Sequence, residues 1–141
     1  MEELLAYAYL WCEGFDLAEE YEEKLHELFL KDTAYSEDLL TLEGLCGKVK
    51  ESVSYIRTHI NHSCLDREKF GKTLMDLLKP FYQNVDIEQF GQRMYFLWED
   101  LPRNLQEEEP FSVMCYADDP LSWGDEKQTR ELYEKMLNYY D

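Results

Sequence analysis

The chain has 141 residues, of which 45% are hydrophobic and only 6 are glycine and 4 proline, and this composition excludes a disordered or collagen-like chain. A single domain spanning residues 1–141 is expected, since a chain of this length buries roughly 70% of its unfolded surface. The 31 acidic and 14 basic side chains give a net charge of -17. Direct binding to nucleic acid is therefore disfavoured, because cations must neutralise the phosphates.

Nothing in the sequence predicts a membrane span or a secretory signal. The apolar stretch over residues 4–12 is about half as long as the roughly 20 residues that a spanning helix needs. Glu2 and Glu3 stand where a secretory signal carries basic residues. We therefore expect a cytoplasmic protein that binds no membrane. We also expect reduced thiols, since the cysteines are widely separated: Cys12, Cys46, Cys64 and Cys115.

Apolar residues recur at helical spacing through the first half of the chain. One stripe covers residues 4–12, and a second starts after Asp16, which is the expected N-cap of its helix. Gly14 lies between the two stripes, and the sequence leaves open whether it marks a break or a kink. The same spacing predicts a shorter helix over residues 36–45 and another over residues 48–62.

Two segments in the middle of the chain align without gaps at a period of twenty. Residues 66–78 and 86–98 both read D-x-E-[KQ]-F-G-[KQ]-x-[LM]-x-x-L. We expect each aspartate to cap a helix, both phenylalanines to be buried at the contact between their two helices, and each glycine to permit close approach of the paired helices. Pro80 and Pro102 are expected to end the two helices. Two copies predict a helical hairpin over residues 66–101, because a solenoid needs about three or more repeats. The paired positions are Asp66 and Asp86, Phe70 and Phe90, and Gly71 and Gly91.

The last third of the chain is also predicted to be helical. Residues 110–117 alternate as a strand would, but no partner strand is predicted, so a short helix or an extended loop is expected there. A terminal helix follows, for which Ser122 and Asp125 resemble a capping box. Together these patterns predict an all-α fold: a compact single-domain bundle of five to seven helices with a central helical hairpin and little or no β-strand.

The negative charge is concentrated at the two ends of the sequence. Residues 1–31 and 107–141 each carry a net charge of -7, which together is most of the total. If the first and last helices pack side by side, as the termini of compact domains often do, their outer faces form one acidic surface. Such a field speeds association with a cationic protein by roughly 10- to 1000-fold at low salt. The alternative is that the glutamate-rich faces serve only solubility.

Aromatic residues make up 15% of the chain, and some lie off the apolar stripes. Tyr116 and Trp123 flank an Asp-Asp-Pro turn, and Tyr139 lies off the main stripe of the terminal helix. Rings beside carboxylates suit a basic protein surface, because the rings supply cation–π contacts and the acids supply steering. The alternative for Trp123 is that it packs on the core as a staple for the last helix. The predicted partner-binding residues are Glu19, Glu20, Glu23, Asp118, Asp119 and Trp123.

Candidate chemistry is sparse. His59 and His62 share a predicted helix face, and Cys64 and Cys46 are near enough in sequence to join them in a mixed zinc site. No C-x-x-C pair supports such a site, so the sequence predicts neither a metal nor a cofactor. No nucleotide-binding loop, zinc-protease motif or serine-hydrolase motif occurs. We therefore predict no catalytic residue.

The composition resembles that of acidic inhibitors of cationic enzymes, such as bacterial immunity proteins and nucleic-acid mimics. The expected function is non-enzymatic: an acidic interaction protein, inhibitor or immunity-like, that binds a basic protein surface such as that of a nuclease or toxin. Two alternatives stay open. One is a helical structural protein that associates with itself as a homodimer, and the other is a small helical metal-binding protein or enzyme centred on His59 and His62.

Overall fold

The structure is a computed structural model that describes residues 2–31, 36–45, 47–59 and 65–141. Those residues form nine α-helices and one 3-10 helix, and no β-strand occurs among them. The all-α prediction is confirmed. The α-helices are α1 Glu2–Cys12, α2 Ala18–Lys31, α3 Ser36–Gly44, α4 Val49–His59, α5 Arg67–Asn84, α6 Ile87–Asp100, α7 Arg103–Gln106, α8 Asp119–Ser122 and α9 Glu126–Leu137.

Two of these nine helices, α7 and α8, are single turns of 4 residues. The other seven agree with the predicted five to seven helices. The 3-10 helix Phe111–Cys115 occupies the stretch predicted to be a short helix or a loop. Across the described residues, no helix combines the length and apolarity needed to cross a membrane. The chain divides into two compact units, Met1–Phe70 and Gly71–Asp141, called unit one and unit two below. The single domain stays a prediction.

The core of unit one is built around α1. A helix that is apolar on most sides must be covered by its neighbours, and α2 and α4 pack against it. After α1, Gly14 adopts a φ of 94°, which glycine tolerates best, so the join to α2 is a break and not a kink. The buried side chains of α1 are Leu4, Leu5, Ala6, Ala8, Tyr9 and Leu10. Those of α2 and α4 include Tyr21, Leu25, Val53 and Ile56.

Both aspartates of the repeat cap helices, as predicted. The carboxylate of Asp66 accepts hydrogen bonds from the backbone N–H groups of Glu68 and Lys69, at 3.1 and 3.2 Å. Asp86 accepts one from the N–H of Gln89 at 2.8 Å. The two repeat helices, α5 and α6, therefore begin at the same position of the repeat.

Two other predicted N-caps are wrong. Asp16 lies one residue too early, because the carbonyl of Leu17 accepts the first backbone bond of α2. Ser122 does not cap the terminal helix. Asp125 does so, by accepting a hydrogen bond from the backbone N–H of Gln128 at 3.1 Å. The start of α2 is therefore one residue later than predicted, and the start of α9 is three residues later.

The two prolines of the repeat region behave differently. Pro102 follows α6 as predicted. Pro80 does not end α5, which continues to Asn84. Pro80 is exposed, so water can satisfy the carbonyl that its missing N–H leaves unbonded.

The core of unit two is an aromatic cluster around Phe90. Its ring centroid lies 4.8 Å from that of Tyr133 on α9, edge to face. Tyr82 and Phe81 of α5 lie 5.0 and 5.8 Å away, at the turn of the predicted hairpin. The 3-10 helix packs against both α6 and α9 and buries Phe111. Edge-to-face pairs of this kind add to the stabilisation that ring burial supplies.

The glycines of the repeat admit side chains from the C-terminal segment. A β-carbon on Gly71 would overlap the ring of Tyr140, and one on Gly91 would lie 3.1 Å from Cβ of Asp118 and 3.3 Å from the hydroxyl oxygen of Tyr133. Close approach does occur at both glycines, but the prediction that the paired helix is what approaches is wrong. Tyr140 lies closest to Gly71, and Asp118 and Tyr133 lie closest to Gly91.

Phe70→Ala and Phe90→Ala are each expected to lower the free energy of unfolding by about 3–5 kcal/mol. Both rings are buried. The ring of Phe90 packs against α5, as predicted for a contact between the repeat helices, whereas that of Phe70 lies 6.2 Å from Tyr9 in unit one. Phe96→Ala is the matched control, because Phe96 is 47% exposed on the same helix as Phe90, and it should change stability by about 0.5 kcal/mol or less. Chemical denaturation measures all three. A buried position that behaved like Phe96 would contradict this core.

Gly71→Ala is expected to stabilise the protein by less than the roughly 1 kcal/mol that alanine gains in a helix, because the new β-carbon must displace the ring of Tyr140. In a Tyr140→Ala background the same change should stabilise by about 1 kcal/mol. Gly44→Ala serves as a control, since a β-carbon there meets nothing within 4 Å. Thermal denaturation of the double-mutant cycle measures the coupling. Equal effects of Gly71→Ala in both backgrounds would show that this contact is absent.

Candidate functional site

One group of the predicted partner-binding residues lies on α2. Tyr21 and Leu25 are buried in the core of unit one. The helical period therefore places Glu19, Glu20 and Glu23 on the outside of the helix, where all three are exposed. We call these three glutamates the α2 acidic face.

The α2 acidic face adjoins a surface depression of about 500 Å³. The described residues that line it are glutamates and one histidine: Glu19, Glu22, Glu23, His26 and Glu27. Among the described residues, no cation forms an ion pair with Glu19, Glu20 or Glu23. The depression is therefore strongly acidic and open to a cationic group.

The lysine within this run of glutamates is already engaged. Nζ of Lys24 lies 3.0 Å from a carboxylate oxygen of Glu3 and 3.4 Å from one of Glu27. The hydrogen bond from Lys24 lowers the pKa of Glu3, and the same contact raises the pKa of Lys24. Since these side chains are partly exposed, the pairs contribute little to stability. They leave the charge of the α2 acidic face uncompensated.

The second group of predicted residues lies in unit two. Asp119 is the first residue of α8 and is exposed, and Asp118 just before it is half-buried. Trp123 follows α8 and is 66% exposed, so the alternative that it packs on the core is wrong. Its ring is instead available to a partner. Tyr116 and Tyr139 are exposed too, as the sequence predicted.

Asp118 is held against the aromatic core of unit two. The absence of a side chain at Gly91 lets both Asp118 and the Tyr133 hydroxyl approach α6. Tyr133 is fully buried, and its hydroxyl has no hydrogen-bond partner among the described residues. Burial raises the pKa of Tyr133, and the negative charges of Asp118 and Asp119 raise it further. Burial likewise raises the pKa of Asp118.

The negative charge of Asp118 also affects the pKa of two further side chains, Tyr95 and Cys115. Tyr95 of α6 is 40% exposed, and the hydrogen bond to Glu99 raises its pKa, with a smaller effect from Asp118. The thiol of Cys115 donates to the carbonyl of Ser112 at 3.1 Å. Burial raises the pKa of Cys115, and the charges of Asp119 and Asp118 add to that effect. We call Asp118, Asp119, Tyr95, Cys115 and Tyr133 the Asp118 cluster.

The two groups of predicted residues belong to different units, so the single acidic surface stays a prediction. Within unit two, the structure adds Tyr95, Cys115 and Tyr133 to the predicted Asp118 and Asp119. The sequence singled out neither Tyr133 nor Tyr95. The sequence feature that could have indicated this grouping is Gly91 of the second repeat, because its missing side chain lets Asp118 and Tyr133 lie against α6.

The alternative metal site is only partly described. His59 is exposed, stacks on Tyr55 with ring centroids 4.3 Å apart, and its Nδ1 lies 2.8 Å from the hydroxyl of Thr58. His62, Cys64 and Cys46 lie outside the described residues. No disulfide joins the two described cysteines, Cys12 and Cys115, to each other or to another described residue.

Comparison with known proteins shows a partial similarity. The chain is 25% identical over 130 residues to one of the subunits of the ATP-dependent helicase/nuclease of Clostridium beijerinckii. The match covers 86% of this chain but 10% of that protein, so the chain spans about a tenth of its relative's length. No protein-family model and no solved structure matches the chain. The similarity establishes neither a family nor an activity.

Asp118→Asn is expected to raise the melting temperature at pH 7. Because burial raises the pKa of Asp118, the folded protein holds this proton more tightly than the unfolded chain, and ionisation of Asp118 weakens folding. Asparagine carries no charge, so the difference from the wild type should disappear as the pH falls to about 3.9, the ordinary pKa of aspartate. Glu107→Gln, at an exposed position, is the control. Thermal denaturation across this range measures the effect, and a difference independent of pH would contradict it.

Proposed function

We propose that this protein is a non-enzymatic, acidic interaction protein that binds a basic surface of another protein in the cytoplasm and covers it in the manner of an inhibitor. The α2 acidic face carries the proposal, because Glu19, Glu20 and Glu23 are exposed and no cation pairs with them among the described residues. The partner is a protein and not a nucleic acid, since the net charge of -17 repels phosphates.

The spacing of these glutamates supports a binding role. Glu19 and Glu23 are four residues apart on one helix, and like charges at this spacing destabilise a helix by about 0.2–0.5 kcal/mol. Solubility alone does not require that spacing, since acidic residues elsewhere on the surface serve it equally well. A cationic partner surface removes the repulsion and gains from the charge.

Trp123 supplies the second part of the proposed interface. Exposed tryptophans are enriched among the residues that dominate binding energy in protein interfaces. Two carboxyls, Asp118 and Asp119, precede it by a few residues, so a basic partner would meet both charge and ring there. The acids are expected to act mainly on the association rate, and the ring on the dissociation rate.

Among basic partners, the sequence similarity favours a nuclease over a toxin of another kind. The relative belongs to a helicase/nuclease, and the matched region is a tenth of its length. That name, helicase/nuclease, places nucleases first among the basic partners to be tested.

The test is a triple variant, Glu19→Gln, Glu20→Gln and Glu23→Gln, whose binding to the partner is measured by association and dissociation kinetics. The partner is first identified by its recovery with the tagged full chain from its own source. At low salt the variant should associate about tenfold more slowly than the wild type, and its association rate should depend less on ionic strength. Its dissociation rate should change little.

The matched control is Glu43→Gln, Glu107→Gln and Glu109→Gln, which removes the same charge from exposed positions outside the proposed interface. It should associate like the wild type. An equal loss in both variants would show that only the net charge matters. An unchanged rate in both, with the protein sedimenting as a dimer, would favour self-association through the exposed aromatic side chains.

A further inference from the structure

The Asp118 cluster combines features that point to a bound group. Asp118 lies against Gly91 of α6, one helical turn before the partly exposed Tyr95, and Asp119 follows Asp118 in the chain. The fully buried hydroxyl of Tyr133 lies behind Asp118, at Gly91, and has no hydrogen-bond partner among the described residues. Buried hydroxyls are almost always hydrogen-bonded, because an unmet one is costly. A conformation in which the Tyr133 hydroxyl forms a hydrogen bond would therefore be more favourable.

The spacing of the ligand atoms argues against a metal ion. Within the described residues, oxygen and sulfur atoms of Asp118, Asp119 and Cys115 do not all lie within 4.8 Å of one another. Ions such as Mg²⁺ and Zn²⁺ bind their ligands at about 2.0–2.3 Å, so those three residues cannot share one ion as they stand. A larger, planar cation with several donors suits such separated acceptors better.

Building on the proposed function, we propose that Asp118, Asp119 and Tyr95 bind the guanidinium group of an arginine side chain on the partner protein. Arginine presents five N–H donors in a fixed fork, which pairs with carboxylates at two points and stacks on aromatic rings. The exposed face of Tyr95 provides the ring, and the two aspartates provide the acceptors. Lysine, a compact point charge, matches this arrangement less well.

Tyr133 is a positioning residue in this proposal. A guanidinium that pairs with Asp118 holds it as a carboxylate. The buried hydroxyl of Tyr133, beside it at Gly91, can then donate to that carboxylate when the side chain of Asp118 turns toward it. The hydroxyl gains its missing partner, and Asp118 is fixed for the arginine.

The experiment is an NMR titration of the isotope-labelled full chain with the peptide acetyl-Gly-Arg-Gly-amide at constant ionic strength. The expected result is saturable shifts of the amides of residues 91, 95 and 115–119, with a dissociation constant in roughly the millimolar range. The same peptide with citrulline, which keeps the shape and loses the charge, should bind at least tenfold more weakly. The lysine peptide should bind a few-fold more weakly than the arginine peptide.

Three variants test the roles of the individual residues. Asp118→Asn with Asp119→Asn should weaken arginine-peptide binding at least tenfold, whereas Glu107→Gln with Glu109→Gln should change it less than twofold. Tyr133→Phe should weaken it by two- to fivefold without lowering the melting temperature, and unchanged affinity would overturn the role of its hydroxyl. Circular dichroism establishes that each variant is folded.

Several outcomes overturn the inference. Citrulline binding equal to arginine, or tighter saturation of the same amides by MgCl₂ alone, would exclude a guanidinium site. Shifts confined to residues 19–27 would overturn it and leave the proposed function standing, since the basic group would then bind on α2. No shift at any residue would count against both.

Discussion

The burial of Tyr133 between Phe90 and Gly91 is the constraint on which unit two depends. The edge-to-face contact with Phe90, at 4.8 Å, ties α9 to α6, and Phe90 also meets Tyr82 at the end of α5. Burying a phenol in this way hides its hydroxyl along with its ring. The ring contact is favourable, but the Tyr133 hydroxyl is buried without a hydrogen-bond partner among the described residues, which is costly. This hydroxyl and Asp118 both lie at Gly91.

In unit one, many of the buried side chains lie on α1, whereas α2 carries exposed glutamates on the side away from the core. Because α1 supplies six buried side chains, α2 needs few apolar residues to complete the core of unit one and can present glutamates over the rest of its surface. The result is a helix whose inner face packs in the core of unit one and whose outer face exposes Glu19, Glu20 and Glu23 to solvent.

Local signals predicted most of the fold, because helical period and N-capping depend on residues close in sequence. The repeat predicted both aspartate caps and both buried phenylalanines. It did not predict that α5 continues through Pro80, since that depends on solvent exposure. It also did not predict what approaches Gly71 and Gly91. The candidate site was predicted in part: Asp118, Asp119 and Trp123 stand out as polar or aromatic residues near a turn, but Tyr95 joins them only through packing between distant segments.

The proposed interface residues share an energetic property. Glu19 and Glu23 of the α2 acidic face repel each other across one helical turn, and Asp118 keeps a carboxyl half-buried, so each group includes one unfavourable interaction in the protein alone. Functional sites are commonly places where a chain gives up stability. A cation relieves the repulsion on α2 and also compensates the buried carboxyl of Asp118. In the proposed complex, a basic protein surface would compensate the negative charge in each unit.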